Sequence, residues 1–197
     1  MMTSAKLSLG LFLGTVVLSG TGGSMPAFGE PNVVRAFAVI QGAPGSGISG
    51  GVRFIQAAVD NNFPEPGVWV VARVEGLTPG LHGFHIHEIA ACDPPTFATA
   101  GGHFDPGPFG QSNPDANHPF HMGDLPNIEA NQAGVGHLNA LTSRITLSPG
   151  PLSVFDANGS AVIVHLNPDQ GITGAPGSGV SGGPRIACGI IEMETTP

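Results

Sequence analysis

Short apolar runs separated by clusters of glycine and proline recur along most of this chain. Val68-Trp69-Val70-Val71-Ala72-Arg73-Val74 and Ala161-Val162-Ile163-Val164-His165 are typical of them. Such runs, bounded by turn residues, predict strands near residues 33–41, 52–58, 68–74, 84–87, 136–141, 144–147, 161–165 and 186–191. The separators at 42–51, 61–67, 77–80 and 148–159 are turn material. No stretch sustains a 3.6-residue apolar period, so few helices are expected. The pattern predicts an all-β protein: an antiparallel sandwich or flattened barrel of about eight strands.

Two segments, 88–126 and 166–184, are too long for ordinary hairpin connections, and long ordered loops in a compact domain usually carry function. Parity within 83–87 separates two faces. Phe84 and Ile86 point toward the core, while His85 and His87 project together from the opposite face as a chelating pair. His82 shares the parity of Phe84 and reads as a hydrogen-bonded core histidine. Six of the eight histidines fall in the stretch from His82 to His121, beside Asp93, Asp105, Asp115 and Asp124. Residues 42–53 (GAPGSGISGGVR) and 174–185 (GAPGSGVSGGPR) agree at ten of twelve positions. Two copies do not make a repeat architecture.

The totals narrow the class. At 197 residues there is room for one domain with a sizeable core. The 31 Gly and 19 Pro, about a quarter of the chain, border on disordered composition, but the recurring apolar runs argue for strands and turns instead. A formal charge of −8 argues against nucleic acid and anionic membranes as partners. Lys6 is the only lysine, and it precedes an apolar run at 7–18 that suits the core of a signal peptide better than a membrane span. Small residues at Ala27 and Gly29 suit a cut before Glu30, giving a signal peptide over 1–29 and a mature domain over 30–197. An uncleaved anchor is the alternative; after cleavage no stable membrane insertion is expected. Export to the periplasm or the medium would favour pairing of Cys92 with Cys188, the two cysteines of the chain, over two buried thiols.

Five separated motifs carry a resemblance. They are Gly80-Leu81-His82-Gly83-Phe84-His85-Ile86-His87-Glu88, Ala100-Gly101-Gly102-His103-Phe104-Asp105-Pro106, His121-Met122-Gly123-Asp124-Leu125-Pro126-Asn127, Val164-His165, and Arg185-Ile186-Ala187-Cys188-Gly189. In this order they resemble the bacterial exported type of copper/zinc superoxide dismutase, which implies that the eight expected antiparallel strands form a Greek-key barrel or sandwich. The resemblance implies His85, His87, His103 and His165 as copper ligands, with His103 bridging to zinc. It implies His121 and Asp124 as zinc ligands and a disulfide between Cys92 and Cys188. Asp169 matches an aspartate that links histidines of the two metals, and Arg185 matches the arginine that receives the substrate anion.

The implied activity is disproportionation of superoxide to oxygen and hydrogen peroxide outside the cytoplasm, with His103 taking up a proton as well as holding metal. A homodimer is an open expectation. One position departs from the pattern: eight residues after His103, where a zinc-binding histidine is usual, stands Gln111. His118 either takes its place or belongs to solvated loop, leaving an altered or empty zinc site. The second long loop carries only Asp169 as a charged residue. The alternative function is a non-catalytic copper-binding or copper-buffering protein on the same fold. His137 matches no ligand and is expected to be structural or exposed.

Overall fold

The computed structural model describes residues 33–57, 67–107 and 110–195, and the expected signal peptide lies outside them. The described residues form nine antiparallel strands: β1 (Val34–Gly42), β2 (Ser49–Gln56), β3 (Val68–Glu75), β4 (Gly80–His82), β5 (Phe84–His87), β6 (Ile128–Ala130), β7 (Gly136–Thr142), β8 (Ala161–His165) and β9 (Arg185–Met193). They make one sheet in the order β4-β6-β7-β3-β2-β1-β9-β8-β5. The two ends of that order, β4 and β5, are consecutive in the chain and separated only by Gly83. The sheet therefore curls into a nearly closed barrel whose seam is bridged by the backbone itself.

Alternation sets the register. In β3, Val68, Val70, Ala72 and Val74 are buried while Trp69, Val71, Arg73 and Glu75 face outward. Val70 sits opposite Phe54 of β2 and Ala140 of β7, so a one-residue slip would expose the whole apolar set. Phe54, Phe84, Phe104, Ile40, Ile86 and Ile128 fill the interior and are fully buried. β2 starts at Ser49, inside the expected turn, because Gly50 lets the backbones approach: a Cβ there would lie 2.3 Å from the Arg73 carbonyl oxygen.

The alternation fails in β5 and β8, all of whose residues are buried. Their outer face is roofed by the 88–126 segment, where Phe97 and Ala100 pack on Ala161 and Ile163 with Cys188 and Cys92 to form a second apolar cluster. Residues 144–147 are not a strand. Ile145 and Leu147 plug the core from a loop, and Thr146 makes only an isolated bridge to Ser153. β4 and β6, three residues each, were not expected, since three residues are too few to show an alternation.

Candidate metal centre

The first long loop folds back along the free edge of β5. The Ile86 amide donates to the Gly123 carbonyl (2.9 Å), Phe104 N to Ile86 O (2.9 Å) and Gly123 N to Phe104 O (2.7 Å). This brings His103 beside His87 and Asp124 beside His85 as isolated β-bridges. β8 supplies His165 on the other side of β5, its amide donating to Gly83 O at 2.8 Å. His85, His87, His103 and His165 each offer a nitrogen, and the four nitrogens lie within 4.8 Å of one another. All four side chains are buried.

Each ring is anchored through one nitrogen and left free at the other. His85 Nε2 donates to Asp169 Oδ2 (2.9 Å), His87 Nδ1 to Gly101 O (3.1 Å), His103 Nδ1 to Asp124 Oδ1 (2.6 Å) and His165 Nδ1 to Gly183 O (2.8 Å). His85 Nδ1, His87 Nε2, His103 Nε2 and His165 Nε2 are buried without a hydrogen-bond partner. An unmet buried polar atom costs about 1–3 kcal/mol, so four of them in one cage need a shared ligand.

Burial, helped by neighbouring His103, pushes the His85 imidazolium down to about 4. Burial does the same to His103, to about 4, and to His165, to about 3. His87 is lowered too, by burial and then by His103 and Arg185. Four neutral imidazoles with free lone pairs fit a copper ion.

A second set shares His103. His103, His118, His121 and Asp124 offer four ligand atoms within 4.8 Å of one another. His121 Nδ1 and backbone N both donate to Asp124 Oδ2 (2.9 and 3.0 Å), and His118 Nδ1 lies 3.1 Å from the same oxygen. Three imidazoles and a carboxylate fit tetrahedral zinc. Although its own desolvation would raise it, Asp124 is held far below the usual carboxylate range by hydrogen bonds to His103, His118 and His121. Against its desolvation, His118 is raised to about 9 by the Asp124 and Asp169 carboxylates.

Gln111 is exposed, its side chain accepting from the Asn113 amide, so it faces away from this set. Asp169 stands between the sets: its Oδ1 accepts from His118 Nε2 (2.6 Å) while its Oδ2 accepts from His85. Its backbone is fixed by Asn127, which exchanges two hydrogen bonds with it, Nδ2 to Asp169 O (2.9 Å) and Asp169 N to Oδ1 (2.8 Å).

Arg185 opens β9 with its guanidinium clamped, Nη1 donating to Phe97 O (2.8 Å) and Nη2 to Gly101 O (2.6 Å). It and His165 line a cavity of about 650 Å³ that also contains Asn113, Asp115, Asn167 and Ser181. A disulfide joins Cys92 to Cys188 with Cα atoms 5.6 Å apart, tying the first loop to β9 three residues beyond Arg185. His82 stays out of both sets. It is buried between the carbonyls of His165 (2.9 Å) and Thr78 (2.8 Å). His137 is exposed on β7.

The sequence did not single out Arg144, whose Nη1 donates to Pro119 O (2.9 Å) and His121 O (3.2 Å) and so braces the turn bearing His118 and His121. Nor did it show the carbonyls of Gly101 and Gly183, since a backbone acceptor leaves no mark in residue identity.

Residues 48–191 match the family model described as copper/zinc superoxide dismutase (SODC). The copper-zinc superoxide dismutase of Caulobacter vibrioides is 38% identical over 64% of this chain and 72% of its own. That of Brucella abortus is 32% identical over 86% of this chain and 92% of its own, and a second such enzyme of Mesembryanthemum crystallinum is 36% identical over 83% and 98%. Among solved structures, a double mutant of a SOD-like protein from Bacillus subtilis superposes with a TM-score of 0.63 at 29% identity, covering 78% of this chain and 95% of that one. The chain belongs to the copper/zinc superoxide dismutase family.

Proposed function

We propose that the chain disproportionates superoxide with copper held by His85, His87, His103 and His165, and zinc held by His103, His118, His121 and Asp124. Two superoxide anions and two protons give one oxygen and one hydrogen peroxide. When bound, copper supplies one-electron exchange with the anion, in both directions. The observation that carries this reading is the set of four converging, unpartnered ring nitrogens beside a clamped arginine at a cavity wall.

The residues divide the work. Arg185 keeps its planar fork fixed by two carbonyls, which leaves its remaining N–H groups to receive a small anion and orient it. His103 belongs to both sets and is the group able to take up a proton at Nε2 and hold it for the departing peroxide. Asp169, Gly101 and Gly183 fix the tautomers of His85, His87 and His165, so each ring presents one nitrogen. Cys92–Cys188 holds the Arg185 end of β9 against the loop that supplies both clamping carbonyls.

The placement of His118 on Asp124 and Asp169 supports a complete zinc set in spite of Gln111, which favours an enzyme over a copper store. The apolar run at 7–18 and the disulfide support export, so superoxide outside the cytoplasm is the substrate pool. The test is metal analysis of the mature chain beside its rate of superoxide consumption. Turnover should scale with copper content. Full copper occupancy with no turnover would sink the proposal and leave copper binding.

A further inference from the structure

The two near-identical segments adopt the same turn and close it differently. In the first copy Ser46 N donates to Ala43 O at 2.9 Å, with Gly45 at φ 83 and Gly47 at φ 75. In the second Ser178 N donates to Ala175 O at 3.0 Å, with Gly177 and Gly179 both at φ 78. Proline followed by a glycine at positive φ is the sequence of a type II turn, so this part of the motif forms unaided.

The ends of the turn differ. In the first copy Gly42 N donates to Ile48 O (2.9 Å), and the turn seals itself between β1 and β2. The equivalent bond is missing from the second copy. There Gly174 N donates to the Asp115 carbonyl (2.8 Å), and Val180 O accepts from Gln170 N instead (2.9 Å).

The Asp115 side chain then enters the second copy. Its Oδ2 accepts from Gly179 N (2.9 Å), and its Oδ1 accepts from Ser181 N (3.1 Å) and Ser181 Oγ (2.9 Å). Asp115 is buried, and these donors hold its carboxyl below the ordinary range against a desolvation that alone would raise it. The carboxylate belongs to the first long loop and its donors to the second. Their chain continues through Gly183, whose carbonyl anchors His165 Nδ1 at 2.8 Å, to Pro184, whose carbonyl accepts from Leu166 N (2.7 Å), and to Arg185.

We infer that Asp115 is a positioning residue: its clasp on Gly179 and Ser181 replaces the turn's own closure, so that the 174–184 segment presents Gly183 O to His165 and delivers Arg185 to the cavity wall. The inference rests on reading the four-histidine set as the reacting centre. Asp115 and Arg185 line the same cavity. A carboxylate there repels an approaching anion, so its presence needs another reason. The clasp provides one.

Opposed signs make this testable. Loss of a negative charge beside the cavity would by itself speed capture of superoxide, whereas loss of the clasp slows it. With metal-loaded mature protein at matched copper content, Asp115→Asn should lower the second-order rate about threefold or more, because the docking groups lose their fixed placement. Amide exchange should accelerate about tenfold or more at Gly179 and Ser181 while β3 amides keep their protection. Ser181→Ala, which removes one donor and no charge, should raise exchange at Gly179 to a smaller extent. A rate equal to or above wild type, unchanged exchange at Gly179 and Ser181, or acceleration spread evenly into β3 would each overturn the inference. A wild type inactive at full copper would refute the proposed reaction instead, and the exchange measurements would still decide the clasp.

Discussion

Asp169 Oδ1 accepts a hydrogen bond from His118 Nε2 at 2.6 Å, which turns Nδ1 of that ring toward Asp124. With its other oxygen on His85, this one carboxylate orients a ring of each metal set. His118→Ala should therefore empty the zinc site while copper stays largely in place. Asp169→Asn should weaken zinc about 10- to 100-fold, the usual cost of losing a group that orients a ligand. Metal analysis after graded chelation reads both. Adding Gln111→His to His118→Ala should restore nothing, because position 111 faces solvent. Zinc retained by His118→Ala would remove His118 from the ligand set.

Arg185 makes its two carbonyl contacts from separate nitrogens of a planar fork, a geometry that the single nitrogen of a lysine does not reproduce. Arg185→Ala should cut the second-order rate about tenfold or more at full copper content. Arg185→Lys should recover only part of it, since the charge returns without the fork. Added salt should slow the wild type more than the alanine variant. Stopped-flow rates across ionic strength decide it. Equal rates for all three proteins would mean that the anion docks elsewhere.

The Cys92–Cys188 bridge spans 96 residues of sequence. Chain entropy alone rates such a crosslink at about 4–5 kcal/mol. Reduction should first loosen the roof over β5 and β8, seen as faster exchange at Phe97 and Ala100 while β2 and β3 remain protected. Unfolding of the barrel and the roof in one step would show that the second apolar cluster does not open independently.

The metal-free protein should show a pH dome in its melting temperature. His85, His103 and His165 have folded values of about 4, 4 and 3, against about 6.5 for an ordinary imidazole. The unfolded chain thus binds more protons below pH 6.5, and their contribution to stability is full above that pH and is lost as pH falls through about 4. His118 has the opposite sign. Raised to about 9, it stabilises fully below 6.5 and ceases to do so as pH rises through about 9. Calorimetry of metal-free protein across this range checks both arms. A flat acid side would show that the imidazoles are hydrated rather than buried.

The strands were legible as apolar runs bounded by turn residues, as at 68–74, but the faces of that strand were not, because Trp69 and Val71 are apolar and yet exposed; only the fold shows burial alternating along Val68–Glu75. Legibility failed where a second layer covered the outer face or where a strand was three residues long. The histidine pair of β5 could be read from parity, but its burial could not, because the covering comes from a loop without periodicity. His118 was left open for a geometric reason. Its distance along the chain from His103 does not match the expected interval, and only the turn braced by Arg144 shows that the ring reaches Asp124. Asp115 was visible as one acid among several in the loop. Its partners are mostly backbone amides, and these carry no residue code.

Gly83 joins the two ends of the sheet order, and that has a consequence for timing. β4 pairs with β6 and β5 with β8, partners far along the chain, and pairings so distant are slow to form. A Cβ at Gly83 would stand 3.2 Å from His165 Cβ, 3.2 Å from His85 Cε1 and 3.1 Å from Ser181 O, so the junction that depends on these distant pairings is also the one against which the two histidines rest. Copper offered to a growing or newly threaded chain would find the His85 and His87 pair early and His165 late. With copper held as proposed, its tight capture would work as a clock, marking the arrival of His165 beside the earlier pair.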